Sequence, residues 1–303
     1  MNNTGNESNL DNQVDQIVLI LFSVPTFFIG SALNGTALCL ICSHIKLAKP
    51  FIYLVNLIAS DTLLLFSLPF KIYAYYLKDN WSRKMEMSFC QFLESLYFVN
   101  TYTSILVITV ICVDRFVAVR HPFVARAKSS PRAIGGICAS IWIAVGLCTI
   151  HIYFTSHSKS CFYRLSSNLL NIAFIAPFGA LFFICALTML FCSLQIIHSL
   201  NSQTSDTQKR RTDKCAKIVL SNLFTFLICF TPYHALLLLY VSAVNGYFSK
   251  QHSEWLRRAL HYSLCLANVN CCLDAIYYFY AIKELQPRMQ TPGKTVQPAI
   301  SDS

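Results

Sequence analysis

The sequence predicts an all-α membrane protein built as a seven-transmembrane helix bundle. Three observations lead there. Seven mostly apolar segments are each long enough to cross about 30 Å of hydrocarbon, which takes about 20 helical residues. Hydrophobic residues make up 55% of the chain and charged ones only 13%, whereas a soluble domain carries about 25% charged residues. Lysine and arginine also gather in alternate loops, as the positive-inside rule requires.

The first segment, Ile17–Cys42, follows a polar and acidic stretch, Met1–Gln16. No basic leader or small-residue cleavage site precedes it, so it is expected to act as its own insertion signal. Asn2-Asn3-Thr4 and Asn6-Glu7-Ser8 make Asn2 and Asn6 glycosylation acceptors on an outward-facing tail. With the N-terminus outside, the inner loops hold Lys46 and Lys49, then Arg120, Arg126, Lys128 and Arg132, then Lys209, Arg210, Arg211 and Lys214. The net charge of +10 is therefore mostly a topology signal. Basic residues scattered this way do not form the single stripe that a nucleic acid needs.

The second segment, Phe51–Tyr76, contains Asp61 with no base in its own span. Such a carboxylate must be neutralised, hydrogen-bonded or matched by a cation. Lys71 lies ten residues further out, about 15 Å along a helix. In the third segment, Phe89–Val113, the spacing of Glu94, Tyr97, Thr101 and Ser104 puts them on one helical face. That face continues inward to Arg115. Lys71 and Glu94 fall at similar depth near the outer mouth. They either pair with each other, or Lys71 offers its charge to an anionic ligand while Glu94 holds it in place. The third segment ends in Asp114-Arg115-Phe116, an acid–base pair at the membrane boundary where ionised groups lose hydration. A simple helix-end anchor is the plainer reading of that arginine.

The remaining segments are Ala133–Phe154, Leu169–Ile197, Lys217–Val241 and Leu256–Tyr280, of which the fifth and seventh are the least continuous. His151, Arg164, His234, Arg257, Arg258 and His261 add positive or titratable groups toward the outer side, a rim that attracts anions. Asn34, Ser104, Asn268, Asn270 and Asp274 can surround Asp61, and an oxygen-rich cluster of this kind suits a hard cation such as sodium. Of the 14 cysteines, twelve fall in spans or at their inner ends, where they pack as small apolar residues. Cys90 and Cys161 fall on the oxidising face and can form a disulfide that pins the second outer loop.

Other classes fit poorly. Seven spans do not divide into two equal repeats, and no re-entrant filter is visible, which disfavours a transporter or channel. The seventh segment has no lysine for a retinal Schiff base. Neither H-E-x-x-H nor G-x-S-x-G occurs, so an enzyme would lack a catalytic carrier.

The combined pattern resembles class A, rhodopsin-like G-protein-coupled receptors. The resemblance runs from Asn34 to about Glu284. It rests on Asn34, Asn56-Leu57 with Asp61, Cys90 with Asp114-Arg115-Phe116, Trp142, Phe226 with Cys229-Phe230-Thr231-Pro232, and Asp274-Ala275-Ile276-Tyr277-Tyr278. Ser67-Leu68-Pro69-Phe70-Lys71, Glu94-Ser95-Leu96-Tyr97-Phe98-Val99, Ser130-Pro131-Arg132 and Asn268–Asp274 are similar to the branch responsive to lysophosphatidylinositol and kynurenate. Lys71 and Glu94 match its lysolipid side better, and Thr101 stands where the kynurenate type has an arginine.

The resemblance implies a non-enzymatic plasma-membrane receptor with its N-terminus outside. Its implied agonist is an anionic lysophospholipid such as lysophosphatidylinositol or lysophosphatidic acid, with a small aromatic carboxylate of the kynurenate type as the alternative. The agonist would bind near Lys71, Glu94, Tyr97, Thr101, His151, Arg164, His234, Arg258 and His261. Activation would release Arg115 from Asp114, swing the sixth span about Pro232, and bring in heterotrimeric G proteins of Gi or Rho-activating type, and arrestin. Asp61, Ser104, Asn270 and Asp274 would form an allosteric sodium site, with no other cofactor. The implied parts are an outer tail (1–16), the bundle (17–280), and a short amphipathic helix eight with its tail (281–303). Departures are Phe230 in place of the usual tryptophan, Cys185 for proline, Ser193 for tyrosine, and Asp274-Ala275 for Asn-Pro, which removes one proline kink. A hydroxyl to cap the freed arginine would then come from Tyr278 alone. No cysteine follows Lys283 to carry a palmitoyl anchor.

Overall fold

The computed structural model describes residues 3–43, 49–77, 86–128, 130–155, 171–202, 205–247 and 253–275. They form helices α1 (Asn3–Ser43), α2 (Lys49–Leu77), α3 (Met87–Arg120), α4 (Pro122–Lys128), α5 (Pro131–Thr155), α6 (Ile172–Asn201), α7 (Asp206–Val244) and α8 (Ser253–Asn268). Helical backbone resumes after Val269 over residues 270–275. The expected spans one to three are α1 to α3, and spans four to seven are α5 to α8. Six of these helices, all but α8, are long and apolar enough to cross a membrane. At 16 residues, with Glu254, Arg257 and Arg258 in its first turns, α8 falls short by itself. The expected seventh span runs on to Tyr280, and its last residues, like the expected helix eight, lie outside the described residues.

Two helix starts and one additional helix depart most from the sequence reading. Helix α1 begins at Asn3, well before Ile17; Glu7–Gln16 holds neither proline nor glycine to stop it. Helix α7 begins at Asp206 rather than Lys217, with an acidic residue in its first turn opposing the helix dipole. The short α4 was not expected. Pro122 opens it, and a fixed φ suits the first helical position.

Interior prolines break the hydrogen-bond ladder in α1 (Pro25), α2 (Pro69), α6 (Pro177) and α7 (Pro232). Pro177 supplies α6 with a break eight residues before Cys185. The seventh span lacks the usual proline but is irregular all the same. It tightens at Val269, whose N–H donates to Leu266 O at 3.1 Å, while Cys272 N–H donates to Val269 O at 3.0 Å. Both are i→i+3 bonds of the 3₁₀ type.

The helices close into a ring through α1/α2, α2/α3, α3/α6, α6/α7, α7/α8 and α8/α1, with α5 against α2 and α3. Helix α3 is the axis: 72% of its apolar window is buried, against 22% in α1. One core joins Leu57, Ile105, Ile108, Met189, Val219, Phe226 and Phe230. Another joins Leu19, Leu64, Leu68, Tyr75, Leu93 and Cys265. Trp142 Nε1 donates to Asn56 Oδ1 at 2.9 Å and ties α5 to α2. Gly30 lets α1 close in, since a Cβ there would stand 2.8 Å from Leu65 Cδ2 and 3.1 Å from Cys271 Sγ. Phe28, Ile143, Leu187 and Phe224 point outward and exposed, a large apolar belt that suits lipid rather than water.

Candidate functional site

Lys71 sits on α2 three residues beyond the buried Leu68, on the face turned to α3. Its side chain is only 1% exposed. The ammonium makes no hydrogen bond among the described residues. It lies 4.3 Å from the Tyr97 ring centroid and 5.7 Å from that of Tyr75. Glu94 and Cys265 are its electrostatic neighbours. Lys71 and Glu94 are thus close enough to act on each other, and the cation itself is faced by two aromatic rings.

Toward α6 and α7 lies an aromatic column. Phe98 and Tyr102 of α3 meet Phe178 of α6 with ring centroids 5.0 and 5.2 Å away. Phe182 stacks on His234 at 4.1 Å and on Phe226 at 5.3 Å, and Phe226 meets Phe230 edge-on. His234 is buried with Nδ1 2.9 Å from Phe230 O. A carbonyl only accepts, so Nδ1 carries the proton, and in the neutral ring Nε2 is left as an acceptor. Nε2 makes no hydrogen bond among the described residues. Pro232 lies between Phe230 and His234, so the ring stack grips both sides of the α7 break. Thr101 is buried on α3.

Ten residues inward of Lys71 on α2, Asp61 belongs to a cluster of buried oxygens. Asp61 Oδ1 accepts from Asn100 Nδ2 at 3.1 Å, and Asp274 Oδ2 accepts from Asn270 Nδ2 at 2.7 Å. The two carboxylates act on each other electrostatically. Asp61 Oδ2, Ser104 Oγ, Asn270 Oδ1 and Asn34 Oδ1 are buried and make no hydrogen bond among the described residues. Two carboxylates in one buried cluster are costly unless a proton or a cation joins them.

At the far end of α3, Arg115 Nη2 donates to Asp114 Oδ2 at 2.9 Å, with side chains 25% and 14% exposed. Tyr53 of α2 is buried beside both. The pair expected from the sequence is formed within one helix, between adjacent residues.

The rim residues separate. His151 is exposed at the end of α5, and His261 is half-buried on α8. Arg258 lies with Nε 3.1 Å from Asp15 Oδ2 of α1, and Tyr262 donates to the same carboxylate. Cys90 is disulfide-bonded; Cys161, its expected partner, lies outside the described residues, as do Arg164, Tyr278 and Asn2. Asn6 falls within the first turns of α1.

Residues 33–278 match the 7 transmembrane receptor (rhodopsin family). The chain belongs to that family. It is 35% identical over 263 residues to human G-protein coupled receptor 35, covering 85% of this chain and 82% of that protein. Human G-protein coupled receptor 55 is 31% identical over 306 residues, 96% of this chain and 94% of its own length. Lysophosphatidic acid receptor 6 of Gallus gallus is 30% identical over 289 residues, covering 89% and 92%. This rhodopsin-family chain is thus a multi-pass membrane receptor and not an enzyme, similar to G-protein coupled receptors 35 and 55 and to the lysophosphatidic acid receptors.

Several residues that build these sites escaped the sequence reading. Asn100, which holds Asp61, lies three residues after Tyr97 and four before Ser104, at the edge of the polar stripe, and that spacing could have found it. Tyr75 follows Lys71 by four residues, one turn, and was equally legible. Tyr53 and Asp15 had no such signal, because their partners lie on other helices.

Proposed function

We propose that this receptor responds to an anionic lysophospholipid, lysophosphatidic acid or lysophosphatidylinositol, whose headgroup meets Lys71. The observation that carries this reading is a buried ammonium with no hydrogen bond among the described residues, faced by Tyr97 and Tyr75. A phosphate oxygen would supply the missing acceptor in a charge-assisted bond. The apolar and aromatic surfaces toward Phe98, Phe178 and His234 suit an acyl chain. The name of one relative, a lysophosphatidic acid receptor, supports the same class. Glu94, Tyr97 and Thr101 position the headgroup, and His151, Arg164, Arg258 and His261 draw anions to the mouth. The N-terminus faces outward at the plasma membrane, Asn2 and Asn6 carry glycans, and Cys90 bonds to Cys161.

Signalling follows from a two-state balance, which an agonist can shift only by its differential affinity. Release of Arg115 from Asp114, with α7 bending at Pro232 beside the Phe182–His234 stack, opens the inner end to a Gi or Rho-activating heterotrimer and afterwards to arrestin. Tyr278 caps the freed guanidinium.

Concentration–response curves for lysophosphatidic acids of graded chain length, lysophosphatidylinositol and kynurenate, read as Gi and Rho activation, test the assignment. Potency should climb with chain length and vanish in Arg115→Ala. A response to kynurenate alone would reverse the ligand assignment in favour of the aromatic acid, which the ring column around His234 could also seat.

The unsatisfied oxygens of Asp61, Ser104 and Asn270, with Asp274, make a donor set suited to sodium. Replacing sodium by choline should lower the thermal midpoint of the purified wild type and leave Asp61→Asn unmoved. An equal drop in both would remove Asp61 from the proposed site.

A further inference from the structure

The seam between α1 and α8, with the helical residues 270–275 that continue it, is zipped along its length. Asn34 Nδ2 donates to Cys271 O at 3.0 Å, Cys272 Sγ lies 3.7 Å from Thr26 O, and Gly30 brings the backbones close at Cys271. Leu19 and Cys265 pack in the same apolar cluster. These contacts hold α1 on α8 without help from charge. At the end of the seam nearest Lys71 stands a group of another kind. The Asp15 carboxylate faces the Arg258 guanidinium, Nε to Oδ2 3.1 Å, and accepts from the Tyr262 hydroxyl through Oδ1. The Arg258 and Asp15 side chains are 29% and 20% exposed, while the Nε that faces Asp15 is itself buried and meets it as an ion pair rather than a hydrogen bond.

A guanidinium and a hydroxyl converging on one two-oxygen anion form the donor set that binds a phosphate or carboxylate headgroup. Here the anion is tethered to the chain. The set also points along the route to the deeper cation. Arg258, Tyr262 and Cys265 recur at spacings of four and three on one face of α8, and Cys265 is an electrostatic neighbour of Lys71. Arg258 and Cys265 are seven residues apart, about 10 Å along the axis.

We propose that Arg258 and Tyr262 form a second anion subsite, filled by the receptor's own Asp15 carboxylate, which an anionic amphiphile must displace before its headgroup can use that subsite. Its biological occupant rests on the anionic-agonist reading, whereas the subsite itself does not. Asp15 therefore acts as an internal competitor. It lowers apparent affinity without touching Lys71, and removing its charge leaves the subsite built.

The test uses purified full-length receptor in neutral phosphatidylcholine nanodiscs, titrated with dodecyl phosphate and, in parallel, inorganic phosphate, and read as the shift in thermal midpoint. Asp15→Asn keeps an oxygen for Tyr262 and removes the competing charge. It should reach half-maximal shift at about tenfold less dodecyl phosphate than wild type, the scale of one charge-assisted contact. Adding Arg258→Gln to Asp15→Asn should erase that gain; should the double variant not fold, Tyr262→Phe with Asp15→Asn should reduce it. Identical titrations for wild type and Asp15→Asn, or a gain that survives loss of Arg258, would overturn the subsite. Equal action of inorganic phosphate would overturn its assignment to an amphiphile. Lys71→Met is the separate arm. If it leaves the dodecyl phosphate response of wild type intact, the Lys71 agonist reading fails, while the comparison of Asp15→Asn with and without Arg258 still decides the subsite.

Discussion

Lys71→Met should weaken the potency of lysophosphatidic acid by roughly a hundredfold, about 2.7 kcal/mol, while raising the thermal midpoint of the ligand-free receptor. The two effects share one cause. Lys71 is 1% exposed, and its ammonium, which makes no hydrogen bond among the described residues, has lost its hydration, a loss of several kcal/mol. The Tyr97 face at 4.3 Å and the Tyr75 face at 5.7 Å return part of it, about 0.5–2 kcal/mol for such contacts. Glu94 adds attraction but is only half-buried, so water screens it. The ligand-free receptor therefore holds an under-satisfied cation, and a headgroup relieves it. Methionine has a similar length and no charge, so it removes both the penalty and the relief. Nucleotide-exchange potency and the unfolding midpoint should move in opposite directions. Unchanged potency would make Lys71 a structural cation; a lowered midpoint would mean that its charge is already well matched without ligand.

Asp114→Asn should raise ligand-free nucleotide exchange about tenfold, the effect of roughly 1.4 kcal/mol. Neighbouring residues on a helix do not face each other, so Arg115 must fold back along α3 to reach Asp114 at 2.9 Å. The pair is mostly buried, which lifts its value above that of an exposed ion pair. Losing the carboxylate charge frees the guanidinium toward the end of α3. In Arg115→Ala the same assay should stay at background with agonist present and surface expression matched. Basal exchange that is unaltered in Asp114→Asn would show that the pair does not restrain the receptor.

Much of this was legible because a membrane span writes its physics into one helix at a time. Twenty apolar residues, a 3–4 polar spacing on α3, and a charged pair at its end need no partner to be read. Lys71 with Glu94 was the most that depth alone could join. What stayed hidden depends on which helix stands beside which. Asp15 and Arg258 are separated by almost the whole chain, and the carboxylate of α1 that Arg258 meets could not be foreseen from its own span. The Phe182–His234–Phe226 stack draws on two helices whose aromatic residues look, in sequence, like ordinary core. The tight turn at Val269 carries no proline or glycine to announce it. Tyr278, whose role comes from the family resemblance, and Cys161 lie outside the described residues.

Helix α3 has one further consequence. It is the most enclosed helix, and from Met87 to Arg120 it contains neither proline nor glycine, while α1, α2, α6 and α7 each carry an interior proline. Glu94 and Arg115 lie 21 residues apart, about 31 Å along one unbroken rod. In the proposed mechanism, ligand mouth and signalling end therefore share a fixed ruler. Whatever travels between them is carried by hinged neighbours measured against that ruler, and spin labels at its two ends should hold one distance in every signalling state while any pair that includes α7 spreads.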